Sequence, residues 1–391
     1  MSRPTRDRDY DVIVVGARCA GAATAMLLAR EGCDVLLVDR ARAGSDTLST
    51  HGLMRGGVLQ LHRWGLLERI EAAGTPPVRR VVFDYPDERV PITIKPSPGV
   101  DALYAPRRTV LDPVIADGAR EAGAEVRFGV AVSDLLRDGS AVTGVIGRND
   151  TATFRASAEL VVGADGIRST VARLVDAPTT KVGSSDNAFI YGYWENVEAA
   201  GYEWFYRPGF ATGVVPTNDD HTLIFTAIPP ERFHAVASGD LEGGFRASLA
   251  EHAPELLQRV DGGARVERLR GFKGATGYMR RPWGPGWALV GDAAYYKDPI
   301  TVHGITDALR DAELLARAIL DGGNATHLAG YESERDRVSH TLFDVTDKIA
   351  SRDWTMPEVK TLLREMNDSM ACELELLESL DSTVTNLSDE R

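Results

Sequence analysis

The sequence predicts an α/β fold with a doubly wound parallel sheet, an inserted antiparallel β-sheet and C-terminal helices. A strand, a glycine turn and a helix occupy residues 10–30, which is the usual start of a doubly wound domain. Between residues 184 and 270, aromatic and β-branched stretches alternate with Pro, Gly and Asn-Asp turns, as in an antiparallel sheet. A second strand–turn–helix pattern at residues 287–320 returns the chain to the first domain.

The first strand–turn–helix unit has the residue pattern of a dinucleotide site. Its strand, YDVIVV, is apolar and β-branched, and the following VVGARCAGAA nearly matches G-x-G-x-x-G. Gly16 serves the tight turn and Gly21 the close packing of helix on strand. Arg18 replaces the second glycine. We expect its side chain to swing outward and to add positive charge near a diphosphate.

A second buried strand, residues 34–38, ends at Asp39. An acid about 20 residues after the glycines accepts hydrogen bonds from ribose hydroxyls in such domains. The alternative is an ordinary strand–helix–strand unit of another doubly wound domain. The acid and the glycines together favour the nucleotide site, in which we include the neighbouring Arg40.

The following segments continue the α/β pattern. Residues 58–70 and 109–122 have helical spacing, and residues 125–130 form a strand pattern. Residues 81–94 read as a hairpin that turns at Pro86-Asp87. The tail from about residue 340 is acidic and helical in pattern.

Composition restricts the class of protein. The 391 residues suffice for two domains, and 43% hydrophobic and 26% charged residues are typical of a soluble globular protein. The net charge of −13 opposes binding to nucleic acid. Cys19, Cys33 and Cys372 have no metal-ligand or disulfide spacing, and no metal is predicted. Without a signal peptide or an 18-residue apolar run, the sequence predicts a cytoplasmic protein that does not bind membranes.

Two more motifs follow the first. In LVVGADGIRSTVAR, a strand leads into a turn that contains Asp165 and Gly166. In ALVGDAAYYKDP, a strand ends at Gly291 and Asp292. The next helix has one apolar face, formed by Ala308, Ala312, Leu315, Ala316 and Ile319.

In this order and spacing, the three motifs resemble the class A flavoprotein monooxygenases, the p-hydroxybenzoate hydroxylase-like family. The resemblance covers about residues 9 to 340 and implies a Rossmann-like FAD-binding domain of the glutathione-reductase type. It leaves the C-terminal helices unexplained. The expected division is an FAD-binding domain at 1–80, 101–183 and 271–340, a β-rich substrate domain at 81–100 and 184–270, and a helical segment at 341–391.

The resemblance also implies cofactor contacts. The first motif holds the ADP half of FAD, the Asp-Gly motif is associated with FAD and the nicotinamide cofactor, and the Gly-Asp motif binds a ribityl hydroxyl. An R-x-x-L at a helix start, Arg108 to Leu111, commonly contacts FAD. The expected cofactor residues are Gly16, Arg18, Gly21, Asp39, Arg40, Arg108, Asp165, Gly166, Gly291, Asp292, Pro299, Gly304 and Ile305.

After Pro299 the family usually has G-x-N at a helix N-terminus beneath the flavin pyrimidine. Backbone N–H groups there stabilise negative charge on reduced flavin. This chain has Gly304-Ile305-Thr306, and a threonine hydroxyl still suits a helix cap. Tyr295 stands where His is common, and His303 where Gln is common.

His303 and His51 are the candidate catalytic residues. His303 is expected beside the flavin, where an imidazole serves as an acid, a base or a substrate anchor. A structural loop histidine is the alternative for His303, and packing or loop polarity is the alternative for His51. Lys297 and Asp298 resemble a surface ion pair.

Aromatic residues of the inserted sheet suit a pocket for a flat apolar substrate. Alternation along a strand turns about half of them to the other face, and register decides which half. The candidates in this sheet are Tyr191, Tyr193, Trp194, Trp204, Phe205 and Tyr206. The predicted pocket residues are Tyr193, Trp204, Tyr206 and Tyr295.

The reaction implied by the resemblance uses NAD(P)H, FAD and O₂ to oxygenate a small aromatic or polycyclic substrate through a flavin C4a-hydroperoxide. The expected state is a monomer or a homodimer. The alternatives are a reductase of the geranylgeranyl reductase type, a flavin-dependent halogenase and a flavin-binding protein without turnover. Absence of W-x-W-x-I-P disfavours the halogenase.

Overall fold

The structure, a computed structural model, describes residues 9–149, 152–237 and 239–388. Its strands are β1 Asp9–Val15, β2 Val35–Asp39, β3 Arg80–Asp84, β4 Arg89–Thr93, β5 Glu125–Phe128, β6 Ala131–Asp138, β7 Ala141–Arg148, β8 Thr153–Gly163, β9 Thr179–Val182, β10 Ala188–Glu195, β11 Tyr202–Arg207, β12 Phe210–Pro216, β13 Thr222–Ile228, β14 Ala264–Arg265, β15 Arg270–Phe272, β16 Tyr278–Arg280, β17 Trp283–Gly284, β18 Trp287–Leu289 and β19 Tyr295–Tyr296. Its α-helices are α1 Cys19–Arg30, α2 Arg55–Arg63, α3 Leu67–Ala72, α4 Arg108–Glu121, α5 Thr170–Leu174, α6 Pro230–Ala237, α7 Leu241–His252, α8 Pro254–Gly262, α9 Gly304–Leu320, α10 Ala325–Ser351 and α11 Met356–Ser388.

The first sheet has the order β17-β18-β8-β1-β2-β5, with β6 and β7 added through β8. The strands β8, β1, β2 and β5 are parallel neighbours, and β18 is parallel to β8. The three sequence motifs therefore meet at one edge, because each follows the carboxyl end of a parallel strand. The doubly wound prediction is confirmed, whereas the β6–β7 hairpin was not predicted.

The second sheet has the order β14-β10-β13-β12-β11-β3-β4, with β15 also paired to β10. The predicted hairpin is confirmed, since β3 and β4 pair antiparallel. The segment from 184 to 270 contains the predicted antiparallel strands and, in addition, the helices α6, α7 and α8, which were not predicted. Helix α7 has a local start signal, as the Asp240 carboxylate accepts a hydrogen bond from the Gly243 amide at 2.7 Å.

Residues 58–70 form the end of α2 and most of α3 instead of one predicted helix. Gly65 separates the two helices with a φ of +71°. This left-handed conformation ends α2, and glycine adopts it at low cost.

The two faces of the second sheet are covered by different elements. Trp194 and Phe205 pack with the α6–α8 layer, whereas Tyr193 and Tyr206 pack in a cluster with the C-terminal helices. Among the described residues, no helix is long and apolar enough to cross a membrane.

Candidate functional site

The turn after β1 is closely packed, as the fingerprint requires. Gly16 has a φ of +110°, and a Cβ there would lie 2.3 Å from the Ala164 carbonyl oxygen. A Cβ on Gly21 would lie 1.8 Å from the Gly16 carbonyl oxygen. Both glycines are therefore needed for the approach of α1 to the sheet.

Asp39 lies at the carboxyl end of β2 beside this turn. Its carboxylate accepts hydrogen bonds from the amides of Ala17 and Ala41, each at 2.7 Å. The carboxylate borders a cavity of about 300 Å³, which suits part of a dinucleotide. Arg40 is exposed. We call this cavity, beside the turn after β1, the turn cavity. Its other lining residues include Arg18, Arg42, Ser45, Asp112 and Phe128.

Arg18 points into the turn cavity but does not leave its charge unpaired. Its guanidinium donates to the Asp112 carboxylate at 3.0 Å, with about a third of the side chain exposed. Asp112 also accepts from the Arg108 Nε at 2.9 Å. Arg108 of the R-x-x-L motif and Arg18, which replaces the second glycine, therefore share the Asp112 carboxylate.

Asp292, after β18, has the properties of an acceptor for a bound hydroxyl. The carboxylate is half-buried and has no hydrogen-bond partner within the described parts of the chain. Burial raises its pKa to about 6, although the nearby Arg108 lowers it. The ribityl contact that the resemblance implies for Asp292 stays a prediction.

Asp165 has a local structural role. Its carboxylate accepts from the Ser169 hydroxyl and the Thr170 amide, each at 2.5 Å, and so holds the start of α5. Gly166 follows with a φ of +78°. The predicted cofactor contact at these two residues stays a prediction.

The N-terminus of α9 is accessible. Gly304 is exposed, Ile305 is half-buried, and the His303 side chain does not cap the helix. The first amides of a helix lack intrahelical acceptors, so they are available to a negatively charged group. Thr306 does not serve as the expected cap, because its hydroxyl accepts from the Met54 amide at 3.2 Å.

Two loops with unusual backbone meet near this helix start. Val302 has a φ of +51° and His51 a φ of +62°, conformations that are costly for residues other than glycine. A Cβ on Gly52 would lie 2.4 Å from the Val302 Cγ1, so the two loops touch. Pro299 begins the short 3₁₀ turn before Val302 and is half-buried.

His51, in the loop before α2, and Tyr193, in β10, form a buried pair. The His51 Nε2 lies 2.5 Å from the Tyr193 hydroxyl, and the Arg107 guanidinium lies 3.9 Å from the centre of the tyrosine ring. Burial, with help from Arg108, lowers the His51 pKa to about 3, and burial raises the Tyr193 pKa. A neutral imidazole therefore faces a neutral hydroxyl, and the tautomer of His51 sets which of the two donates. The His51 Nδ1 is buried without a partner among the described residues.

His303 is fully buried and is held by the C-terminal helix. Its Nε2 lies 2.6 Å from the Glu373 Oε2, and the Glu373 Oε1 accepts from the Arg310 Nη1 at 2.8 Å. Asp307 accepts from Lys297 and Arg310. These five residues, Lys297, His303, Asp307, Arg310 and Glu373, are called the α9 cluster below.

The predicted surface ion pair of Lys297 and Asp298 is wrong. Both side chains are buried, and Lys297 pairs with Asp307 instead. Asp298 accepts from the amides of Asn187 and Ile300 at 2.7 and 2.9 Å. Adjacent charged residues resemble a surface pair in sequence, but here the chain turns each one toward a different partner.

His303, Asp307 and Glu373 have ligand atoms close enough together to surround one cation. Their carboxylates already neutralise Lys297 and Arg310. We therefore assign no metal to the α9 cluster, because a cation there would compete with two buried basic side chains.

The four predicted pocket aromatics do not form one group. Tyr193, Trp204 and Tyr206 belong to one buried cluster, but Tyr295 packs with Met279 and Phe343 elsewhere. Tyr206 lies against Trp354, with ring centres 6.1 Å apart. Of the four, Tyr193 is the one in contact with a candidate catalytic residue.

Comparison with known proteins agrees with the resemblance. A family model described as "FAD binding domain" matches residues 9–346. Digeranylgeranylglycerophospholipid reductase of Methanocella arvoryzae is 25% identical, covering 98% of this chain and 95% of its own. The 6-methylpretetramide 4-monooxygenase of Streptomyces rimosus is 26% identical over 82% of this chain and 78% of its own. PqsL of Pseudomonas aeruginosa, a probable FAD-dependent monooxygenase, has the same fold, with a TM-score of 0.73, 21% identity, and coverage of 93% and 100%.

Proposed function

The chain belongs to the FAD-binding domain family of class A monooxygenase-like flavoproteins and is an FAD-dependent oxidoreductase, and from that premise we propose an NAD(P)H-dependent monooxygenase. Its substrate is a small aromatic or polycyclic compound. One oxygen atom of O₂ enters the substrate and the other leaves as water, while NAD(P)H supplies two electrons. The observation that carries the proposal is the buried His51–Tyr193 pair, which joins the loop before α2 to strand β10.

The chain's own residues fit FAD. The turn cavity with Asp39 suits the ADP half, Asp292 suits a ribityl hydroxyl, and the amides at Gly304 suit the pyrimidine end. Bound FAD would supply the electron transfer from NAD(P)H to O₂ that side chains cannot perform. Between these contacts, Arg108 adds positive charge beside Asp292.

The His51–Tyr193 pair supports a role in orienting an oxygen-bearing substrate. In the proposed arrangement Tyr193 donates to Nε2, so the neutral imidazole carries its one N–H at Nδ1. A buried N–H without a partner costs free energy, and a substrate oxygen would satisfy it. The Arg107 guanidinium stacks over the Tyr193 ring and is itself paired with Glu267 at 2.6 Å, so it helps to hold the tyrosine in place.

A reductase is the second candidate. The observation that favours it is the match to the Methanocella arvoryzae reductase, which extends over 98% of this chain and therefore includes the C-terminal helices. Saturation of a carbon–carbon double bond needs a hydride and a proton, and the Tyr193 hydroxyl, hydrogen-bonded to His51, is a proton donor.

Oxygen labelling separates the two candidates. The purified protein is incubated with FAD and with NADPH or NADH, either under ¹⁸O₂ or without oxygen. The candidate substrates are a panel of aromatic, polycyclic and isoprenoid compounds. A monooxygenase gives a product that gains one ¹⁸O and forms no product without oxygen. A product that gains two hydrogens without oxygen would refute the monooxygenase and support the reductase. Tyr193→Phe should lower either activity while FAD stays bound.

A further inference from the structure

The C-terminal helix α11 contributes a buried acid to the α9 cluster. Glu373 lies beyond the residues 9–346 that match the family model, and 2% of its side chain is exposed. It is separated from His303 by 70 residues in sequence and by 2.6 Å between Nε2 and Oε2. A solitary buried carboxylate is costly unless it is paired, and here both oxygens have partners.

The neighbouring helix leaves room for this carboxylate. A Cβ on Gly56 of α2 would lie 3.5 Å from the Glu373 Oε2, 3.1 Å from the Leu377 Cδ1 and 3.2 Å from the Thr306 Cγ2. The glycine therefore lets α11 approach both α2 and the first turn of α9. Glu373 is buried, whereas Gly304 at the helix start is exposed.

The charges around His303 determine where its proton lies. They come from every side: Lys297 from the preceding segment, Asp307 and Arg310 from α9, and Glu373 from α11. Burial alone raises the Glu373 pKa, but His303 and Arg310 outweigh it and lower the pKa to about 2. Burial lowers the His303 pKa despite Glu373. The Arg310 guanidinium, 2.8 Å from Oε1, favours the ionised carboxylate without any charge on His303, and burial favours the neutral imidazole, so at neutral pH an ionised carboxylate faces a neutral imidazole.

An ionised carboxylate accepts but cannot donate a hydrogen bond. The His303 proton must therefore lie on Nε2, and Nδ1 carries the lone pair. Nδ1 is buried and has no hydrogen-bond partner among the residues that the structure describes. His303 is also the residue directly before the accessible amides of α9.

We propose that Glu373 is a positioning residue that fixes the His303 proton on Nε2, so that Nδ1 accepts a hydrogen bond from an N–H or O–H group bound at the N-terminus of α9. The location of that bound group rests on the proposed function, whereas the position of the proton does not.

The test is ¹⁵N NMR of full-length protein labelled at histidine, recorded with and without added FAD. The spectrum of His303→Gln identifies the His303 signals by their loss. We expect a protonated Nε2 and an unprotonated Nδ1 at pH 7. A protonated Nδ1, or protons on both nitrogens, would overturn the proposal without any variant of Glu373.

Glu373→Gln sharpens the test. Arg310 still requires an acceptor, so the amide oxygen should face Arg310 and the amide nitrogen should donate to the His303 Nε2. The unprotonated signal should then move from Nδ1 to Nε2. The matched control is Glu375→Gln, an exposed acid on the same helix, which should leave the histidine signals unchanged. An unchanged spectrum for a folded Glu373→Gln protein would also overturn the proposal.

Flavin provides a separate readout. Removing the Glu373 charge, which lies beside His303 at the start of α9, should raise the reduction potential of bound flavin, because the remaining field favours negative charge more. If the protein binds no FAD, the proposed function fails while the proton position is still measured. If FAD binds and Glu373→Gln changes neither potential nor proton position, the positioning role fails alone.

Discussion

The turn cavity and the α9 cluster are built in opposite ways. At the turn cavity, Gly16, Gly21 and Asp39 lie within one strand–helix–strand unit, and about a third of the Arg18 side chain remains exposed. In the α9 cluster, Arg310 is fully buried and its partner Glu373 comes from a helix 63 residues later. The difference teaches that the glycine turn and Asp39 are brought together by local chain geometry, whereas the second region depends on complete pairing of buried charges.

The largest expected effect tests that dependence. Lys297→Met should lower the free energy of unfolding by about 3 kcal/mol, because it removes one partner of a buried ion pair. Denaturant titration measures the loss. Lys360→Met, which breaks a surface pair with Glu88, should have a smaller effect. Equal losses in the two variants would remove the contrast between buried and exposed charges.

His303→Gln tests whether the α9 cluster contributes to the reaction. We expect FAD content to stay the same and substrate-coupled turnover to fall roughly 10- to 1000-fold, as for loss of a proton-transferring group. Because burial lowers the His303 pKa, the lost inflection of the pH profile should lie below 6.5 and not near neutrality. His62→Gln, on the exposed side of α2, is the control. Unchanged rate and profile would make His303 a structural residue.

Asp39→Ala tests the turn cavity. Loss of the ribose acceptor should weaken FAD binding by about 1 to 3 kcal/mol, measured by titration of the apoprotein with FAD. Glu31→Ala, an exposed acid just after α1, should leave binding unchanged. Equal affinity in Asp39→Ala and the original protein would mean that the ribose is held elsewhere.

Asp292→Asn tests the acceptor between the two regions through pH. Since burial raises the Asp292 pKa to about 6, the folded apoprotein binds this proton more tightly than the unfolded chain does. The Asp292 contribution to stability should therefore be present below pH 4 and decline by about 1 to 3 kcal/mol as the pH rises through 6. Thermal melts of both proteins from pH 4 to 7 measure the difference. If the melting temperatures of Asp292→Asn and of the original protein depend on pH in the same way, the raised pKa is not that of Asp292.

Arg18→Gly, which restores the usual fingerprint, should have the smallest effect. The Arg18–Asp112 pair is partly exposed, and such pairs contribute about 1 kcal/mol or less. FAD affinity should change by less than about fivefold in the same titration. A loss greater than that of Asp39→Ala would identify Arg18 as the main diphosphate contact.

Sequence patterns were sufficient where the partners are close in the chain. The apolar run before Gly16, the glycine spacing and the acid at Asp39 predict β1, α1 and β2, because strand and helix periodicity and turn chemistry are local properties. The hairpin of β3 and β4 followed for the same reason. Local signals also existed for α7 at Asp240, but the aromatic stretches around it outweighed them.

Tertiary structure alone decided the partners of the candidate catalytic residues. His51 meets Tyr193 across 142 residues, and His303 meets Glu373 across 70. Nothing in the pattern around Glu373 distinguishes it from the exposed Glu375, and Lys297 resembles a surface lysine. Burial and pairing of charges depend on which helix faces close over a site, and that is a property of long-range packing, which no local spacing encodes.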